Sequence, residues 1–242
     1  PQHVLGRLYQ WLQFKKTARE VGPIREVVRD FLLDHFPVSE GTDLFGTPVE
    51  RQRMHSVYSL AKRSRLHVRT LWRAVVLNGI VDGDPDRPQA HLVFDAKEGE
   101  ALASRIETAL SVKALEGHLN CNRVQAEQLV RTGVIPRLID EEKAAGVLKG
   151  VARADADAFL ACFMAQATPV AVASPGLLDL VSAAEIARWP VIDIIKGVMS
   201  GLFSRVEVVD PTLKFKGLLV DPSEIKMVLA RNKAVGRVGI QE

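Results

Sequence analysis

Apolar residues recur at helical spacing along most of this chain, and the breaks between the runs mark turns. Leu5, Leu8 and Leu12, with Tyr9 beside them, form one stripe and predict a helix over residues 4–20 that closes on Lys15, Lys16 and Arg19. Pro23 opens a second helix, IREVVRDFLLDHF, which runs to Phe36 and stops at Pro37. SEGTDLFGTPVE, with its glycines and proline, predicts a compact loop. Residues 55–81, HSVYSLAKRSRLHVRTLWRAVVLNGIV, then predict two helices joined by a sharp turn. Leu60 and Ala61 supply the contact surface of the first, Leu66 plugs the turn, and Leu71 and Ala74 face back from the second. Arg65 stands where a turn glycine is usual, and Asn78-Gly79 predicts a left-handed end to the second helix.

The text after Gly79, IVDGDPDRPQAHLVFDAKEGEALASRI, predicts a strand, a polar turn, a second strand and a helix starting at Asp95, with Glu98 as its capping-box partner. A helix-turn-helix followed by a hairpin is a winged-helix arrangement. SVKALEGHLNCNRVQAEQLVRTGVI, residues 111–135, predicts a second helix-turn-helix, with Leu115, Leu119, Cys121, Ala126 and Leu129 in the contact positions and Gly133 at its end. No hairpin text follows; residues 137–167 predict one or two amphipathic helices that bury Phe159, Leu160, Phe163 and Met164, before the loop ATPVAVASPG. In the last segment Ser182-Ala-Ala-Glu185 predicts a capping box ahead of Ile186 and Ala187, Pro190 breaks that helix, VIDIIKGVMS forms the next, and Gly201 ends it. FSRVEVV, the turn DPTL and KFKGLLVD predict another hairpin before a helix opened by Asp221, Pro222 and Glu224. FDAKE at 94–98 and VDPSE at 220–224 occupy the same place in the first and third units, which makes the chain an internal repeat in organisation.

The pattern predicts a mainly α protein of tandem helix-turn-helix or winged-helix-like units with two small β-hairpins. Residues 1–50 form an N-terminal helical support, 51–110 the first winged unit, 111–170 the second helix-turn-helix with a helical extension, and 171–242 a third, degenerate winged unit. With 47% apolar and 25% charged residues the chain is globular, and few aromatics at 6% beside abundant Ala and Leu favour helix over sheet. Cys121 and Cys162, 41 positions apart, match no disulfide or metal-ligand spacing and predict two buried, reduced core residues; no metal and no cofactor is expected. With no 18-residue apolar run and no signal-peptide pattern, a cytoplasmic protein without a membrane partner is expected. The opening at Pro1, with no Met, raises the expectation of a longer parent chain.

Charge changes the picture because it is unevenly placed. Net charge is +3, but residues 1–80 carry 13 Lys/Arg against 7 Asp/Glu, or +6, while residues 81–110 carry 3 against 7, or −4. Seven Lys/Arg lie between Arg51 and Arg73 with no acid among them, a run that repels itself unless solvent or an anionic partner screens it. Its coincidence with the first helix-turn-helix points to double-stranded DNA. Lys62, Arg63 and Arg65 can neutralise phosphates, while His67, Arg69, Trp72 and Arg73 are expected to face outward from the second helix, where arginine can grip guanine. The second unit offers Asn122, Arg123, Gln125 and Gln128 on its recognition helix, with Glu127 among them. Ile192, Asp193, Ile194, Ile195 and Lys196 of the third are too apolar for a groove and predict core or a protein-facing surface. Asp82, Asp84 and Asp86 on the predicted first hairpin should keep its tip from phosphates.

Nothing in the text points to catalysis. There is no phosphate-binding Gly-rich loop, no G-x-S-x-G, no H-x-x-x-H and no C-x-x-C, and the six His are scattered. The chain is expected not to be an enzyme.

PIREVVRDFLLDHFPVSEGTDLFG, then VERQRMHSVYSLAKRSRLHVRTLWRAVVLNGIV, LVFDAKE and the later helix-turn-helix text together resemble the C-terminal region of TniQ-type transposition proteins, a family that includes TnsD-like target selectors. The resemblance covers residues 20–135 best. It implies a DNA-binding protein that helps choose transposon insertion sites and recruits a transposition ATPase or a guide-RNA complex, with pairing of two copies as a further expectation. The zinc-binding Cys and His clusters usual in the N-terminal part of that family are absent from this sequence, so zinc binding is not implied. The alternatives are an adaptor whose helix-turn-helix folds dock other proteins, and a transcriptional regulator.

Overall fold

The computed structural model describes residues 2–15, 21–86, 92–139 and 145–238. They fall into two compact units, one ending at Thr108 and the other beginning at Ala109. The fold is mainly helical, with short strands that pair mostly antiparallel.

The first unit opens on α1 (Gln2–Leu5) and α2 (Arg7–Phe14), separated by Gly6 at φ 50°, where the sequence predicts one continuous helix. The end expected at Lys16–Glu20 lies outside the described residues. α3 (Gly22–His35) starts at its proline as expected, and Leu12, Val28, Leu32 and Leu33 build a small core with Leu44, Phe45 and Val49. The predicted loop closes into a hairpin of β1 (Asp43–Leu44) and β2 (Thr47–Pro48). Its turn residues Phe45 and Gly46 both take positive φ; burying Phe45 completely against Tyr9 offsets the strain of that conformation in a side-chain-bearing residue.

β3 (Met54–Ser56) leads into α4 (Val57–Ser64), and α5 (Val68–Leu77) follows the turn. β4 (Val93–Asp95) then enters α6 (Ala96–Glu107), capped by Asp95, whose Oδ1 accepts from the Lys97 and Glu98 amides. The hairpin predicted over residues 80–94 is not what pairs: β4 lies antiparallel to β3, which precedes the helix-turn-helix, in the register Met54↔Asp95, His55↔Phe94, Ser56↔Val93. Residues 87–91 lie outside the described residues, and Ile80–Asp86 contains no strand.

In the second unit α7 (Val112–Leu119), α8 (Arg123–Arg131) and α9 (Arg153–Met164) are followed by β5 (Thr168–Pro169), β6 (Leu178–Asp179), α10 (Leu180–Ala187), α11 (Val191–Met199), β7 (Val206–Val208), β8 (Leu218–Val220) and α12 (Pro222–Val238). The four strands form one sheet in the order β5-β7-β8-β6; the predicted hairpin is the β7–β8 pair, and β5 adds a parallel edge. Leu115, Ala126, Leu129, Phe163, Ile194, Leu218 and Ile225 belong to its single core. The helix predicted from Ser182 begins earlier: Asp179 is the cap, its Oδ1 accepting from the Val181 and Ser182 amides while the Ser182 hydroxyl donates to Oδ2 at 2.6 Å. Cys121 is buried as expected, and burial, with Glu116 nearby, pushes its thiol up to about 11. Cys162 is exposed, against expectation, because α9 buries Phe159 and Phe163 and turns Cys162 outward.

One register recurs three times. A side-chain cap (Ser56, Ser111, Asp179) opens an eight-residue helix; a left-handed residue ends it (Arg65 φ 56°, Asn120 φ 57°, Arg188 φ 54°); and a second helix closes two residues before a glycine at positive φ (Gly79, Gly133, Gly201). The residue before each cap pairs with the chain just ahead of a third helix: His55 with Phe94, Leu110 with Val151, and Leu178 with Val220. The second unit of the sequence thus shares the plan of the other two, its strands reduced to one bridge whose two hydrogen bonds are 2.8 and 3.0 Å.

Four carboxylates fasten the turns of the second unit. The Ser174 hydroxyl and amide hold Glu207 below the usual carboxylate range, and those of Thr212 do the same for Asp210. Burial acts to raise Asp179 and Glu224, but hydrogen bonds from Ser182 and Val181, and from Ser204 and Arg205, outweigh it and lower both. Depressed carboxylates stabilise the fold fully above their ordinary pKa, and that stabilisation fades as pH falls through the folded values. The urea midpoint should therefore drop from about pH 5 to about pH 2, and Glu207→Gln with Glu224→Gln should flatten the decline; a midpoint insensitive to acid in the parent chain would contradict this.

Candidate nucleic-acid interface

The first helix-turn-helix sets its functional side chains by a simple division of α4 and α5. Val57, Leu60, Ala61, Leu71, Ala74 and Val75 are buried, and Leu66 is half-buried in the turn. Lys62, Arg65, His67 and Arg69 are left exposed, with Arg73 half-buried one turn after Arg69 on the same side of α5. His67 is itself the cap of α5: its Nδ1 accepts from the Arg69 amide at 3.2 Å, which puts the ring proton on the exposed Nε2. The last turn of α4 carries Lys62 and Arg63, where cations also suit the negative end of the helix.

The run without acids in the sequence is not without them in space. Arg63 Nε lies 3.2 Å from Glu100 Oε1 of α6, and its Nη1 lies 3.9 Å from Glu40. Arg53 is bound at both ends by Asp34 and Asp30; the hydrogen bond to Asp34 is the main reason its pKa is raised, and burial opposes it. Among the described residues no acid pairs with Lys62, Arg65 or Arg69 of this face.

Two candidate contacts are corrected. Trp72, expected to face outward, is fully buried: its Nε1–H donates to the Asp84 carbonyl at 2.8 Å, and a Cβ on Gly83 would come within 2.9 Å of the ring. It pins the segment after Gly79 to α5. Gln125, expected to read DNA from α8, is 6% exposed, because it forms a reciprocal capping box in which its amide donates to Asn122 Oδ1 and its Oε1 accepts from the Asn122 amide, each at 2.9 Å. Asn122 is exposed but spends its side chain on that cap, and Arg123 is exposed but lies 2.8 Å from Glu127, whose hydrogen bond raises its pKa. On α11, Ile192, Ile194 and Ile195 are buried and Lys196 is exposed.

Sequence reading missed a buried polar cluster beneath this face. His55, wholly buried, has Nδ1 2.9 Å from Ser59 Oγ and 3.0 Å from Gln52 Nε2, with Nε2 3.3 Å from Glu100. Gln52 also donates to the Met54 carbonyl, which fixes its amide as donor to His55. The Ser, His and carboxylate succession resembles a nucleophilic triad. However, the Ser59 hydroxyl accepts from the Ser56 amide as part of the α4 cap, and the imidazole is sealed from solvent. The cluster clamps β3, α4 and α6 together; the only hint of it in the text is the serine pair of the cap. Among the described residues no group of three or more His, Cys, Asp or Glu is arranged to hold a metal ion, and no helix is long and apolar enough to cross a membrane.

Trp72→Ala should destabilise the fold by about 3 to 5 kcal/mol in urea unfolding, as expected for a large buried aromatic. Trp72→Phe, which keeps a smaller aromatic ring and loses the indole donor, should cost less, about 1 to 3 kcal/mol; a Trp72→Ala protein as stable as its parent would return Trp72 to the surface. Comparison with known proteins finds no family model, curated protein or solved structure that matches this chain.

Proposed function

We propose that this protein binds double-stranded DNA through its first helix-turn-helix and serves target-site selection in a transposition system. The observation that supports DNA binding is a contrast within the molecule. Counted from the start of the second helix of each repeat, the second and sixth positions hold Arg69 and Arg73 in the first, Val124 and Gln128 in the second, and Ile192 and Lys196 in the third. These positions stand one turn apart on one side of the helix. Arginine at both is suited to the major groove, where it can bond guanine through two hydrogens, and Lys62 and Arg65 beside the turn can take phosphates. The transposition role rests on the resemblance of residues 20–135 to TniQ-type text.

A second reading applies to the other two turns. Their outward positions lack paired arginines, Arg123 is held by Glu127, and Ile192 is 8% exposed. They suit an adaptor role, docking an ATPase or a guide-RNA complex, better than a groove.

Arg69→Ala should cost about 1 to 3 kcal/mol of binding to a preferred duplex and relax sequence preference. Lys62→Ala should weaken all duplexes alike and reduce the slope of log K against log salt by about one. Lys196→Ala should leave both unchanged. DNA affinity and salt dependence that survive the double change Arg69→Ala, Arg73→Ala would remove the first turn as a DNA reader.

A further inference from the structure

We propose that Glu100 restrains DNA binding by the first helix-turn-helix: it holds Arg63 as a phosphate would, and a duplex must displace it. This rests on the DNA reading of that turn. Arg63 stands in the last turn of α4 beside Lys62, and its Nε lies 3.2 Å from Glu100 Oε1. Its side chain is 53% exposed, so the guanidinium stays within reach of an incoming anion. A carboxylate oxygen satisfies the same donor and the same charge as a phosphate oxygen. Glu40, 3.9 Å away and 59% exposed, adds an outer acid whose pull is weak in water.

Glu100 is held from the other side. The same Oε1 lies 3.3 Å from His55 Nε2, and the glutamate side chain is only 29% exposed. Gln52 Nε2 donates to the Met54 carbonyl at 2.8 Å and faces His55 Nδ1 at 3.0 Å, so Nδ1 accepts and the proton on Nε2 is directed at Glu100. Because the His55 ring is wholly buried, no water replaces that acceptor. A buried chain of hydrogen bonds thus ends on the carboxylate oxygen that meets Arg63.

The other repeats show that the frame does not require this chain. The residue before the cap is His55 in the first repeat, Leu110 in the second and Leu178 in the third. Leucine there needs no polar partner, whereas a buried histidine does. A tie between the first and third helices is not peculiar to the first repeat. At the corresponding positions, the seventh of one helix and the fifth of the other, the second repeat pairs His118 with Asp157 at 2.5 Å. There the carboxylate is 56% exposed, and Leu110 stands in place of the histidine that would fix it. The third repeat has Ile186 and Lys226 at these positions, which cannot pair. The first repeat, which alone carries arginine at both outward positions of its second helix, adds a buried donor that fixes the acid.

The test uses the full chain and a generic duplex. Glu100→Gln keeps an acceptor for His55 and removes the charge. It should raise affinity about three- to tenfold at roughly 0.1 M salt and steepen the slope of log K against log salt by about one, as Arg63 takes a phosphate. Arg63→Ala should cost at least about threefold more binding in the Glu100→Gln protein than in the parent, which separates release of Arg63 from loss of a nearby negative charge. In the unaltered protein the Arg63 Nε–H resonance should exchange slowly with water and shift when duplex is added, a readout that needs no variant. Equal costs of Arg63→Ala in the two backgrounds, or an Arg63 resonance unmoved by bound duplex, would overturn the inference. So would a Glu100→Gln protein that is less stable in urea yet binds DNA as its parent does, which would make the pair a staple only. Binding that survives Arg69→Ala with Arg73→Ala removes the DNA reading and the restraint together; binding that needs those arginines but ignores Glu100→Gln removes the restraint alone.

Discussion

The pairing of two chain segments just outside each helix-turn-helix is the constraint on which the repeats depend. Helices of eight to ten residues are too short to persist alone in water, and here each is held in a frame closed by a few backbone hydrogen bonds. In the first repeat the frame is the β3–β4 pair, extended by the Ala96 amide donating to the Arg53 carbonyl at 2.9 Å. In the second it is the Leu110–Val151 bridge, and in the third it is part of the four-stranded sheet. Because the frame joins the start of the first helix to the start of the third, the third helix is brought onto the first. Gly99 of α6 shows how closely: a Cβ there would stand 2.4 Å from the Phe94 ring and 3.0 Å from Leu60.

Much of this was legible in the sequence, because caps, turn residues and helical stripes are local signals. Asp95 and Asn78-Gly79 mark their boundaries by chemistry that acts within three or four residues. What escaped was set at longer range. Strands of two or three residues carry too little alternation to announce a partner, so the sequence points to a neighbouring partner for β4, whereas the fold pairs it with β3, with the entire helix-turn-helix between them. Trp72 has the spacing of an outward residue, but an indole donor and a large ring gain more from Asp84 and the gap over Gly83 than from solvent. Glu100 lies far from Arg63 along the chain and beside it in the fold, so charge counted along the text overstated the free charge of the face.

The left-handed turn residue separates scaffold from chemistry. Arg65 and Arg188 adopt the same conformation at the same place as Asn120, although arginine gains none of the ease in that region that asparagine or glycine has. An arginine at this position is therefore no sign of DNA binding by itself, since the third repeat carries one beside a helix whose second position, Ile192, is buried. The turn is imposed by the frame and tolerates either residue. Function must be sought where the repeats differ, at the second and sixth positions of the second helix, the second being an exposed arginine in the first repeat and a buried isoleucine in the third. There the first repeat places Arg69 and Arg73, while Leu71 and Ala74 are buried at the fourth and seventh positions, as Ala126 and Leu129 are in the second. On this short helix the packing falls to Leu71, Ala74 and Val75, while Arg69 stays exposed, so Arg69 can be exchanged without touching the core that presents it.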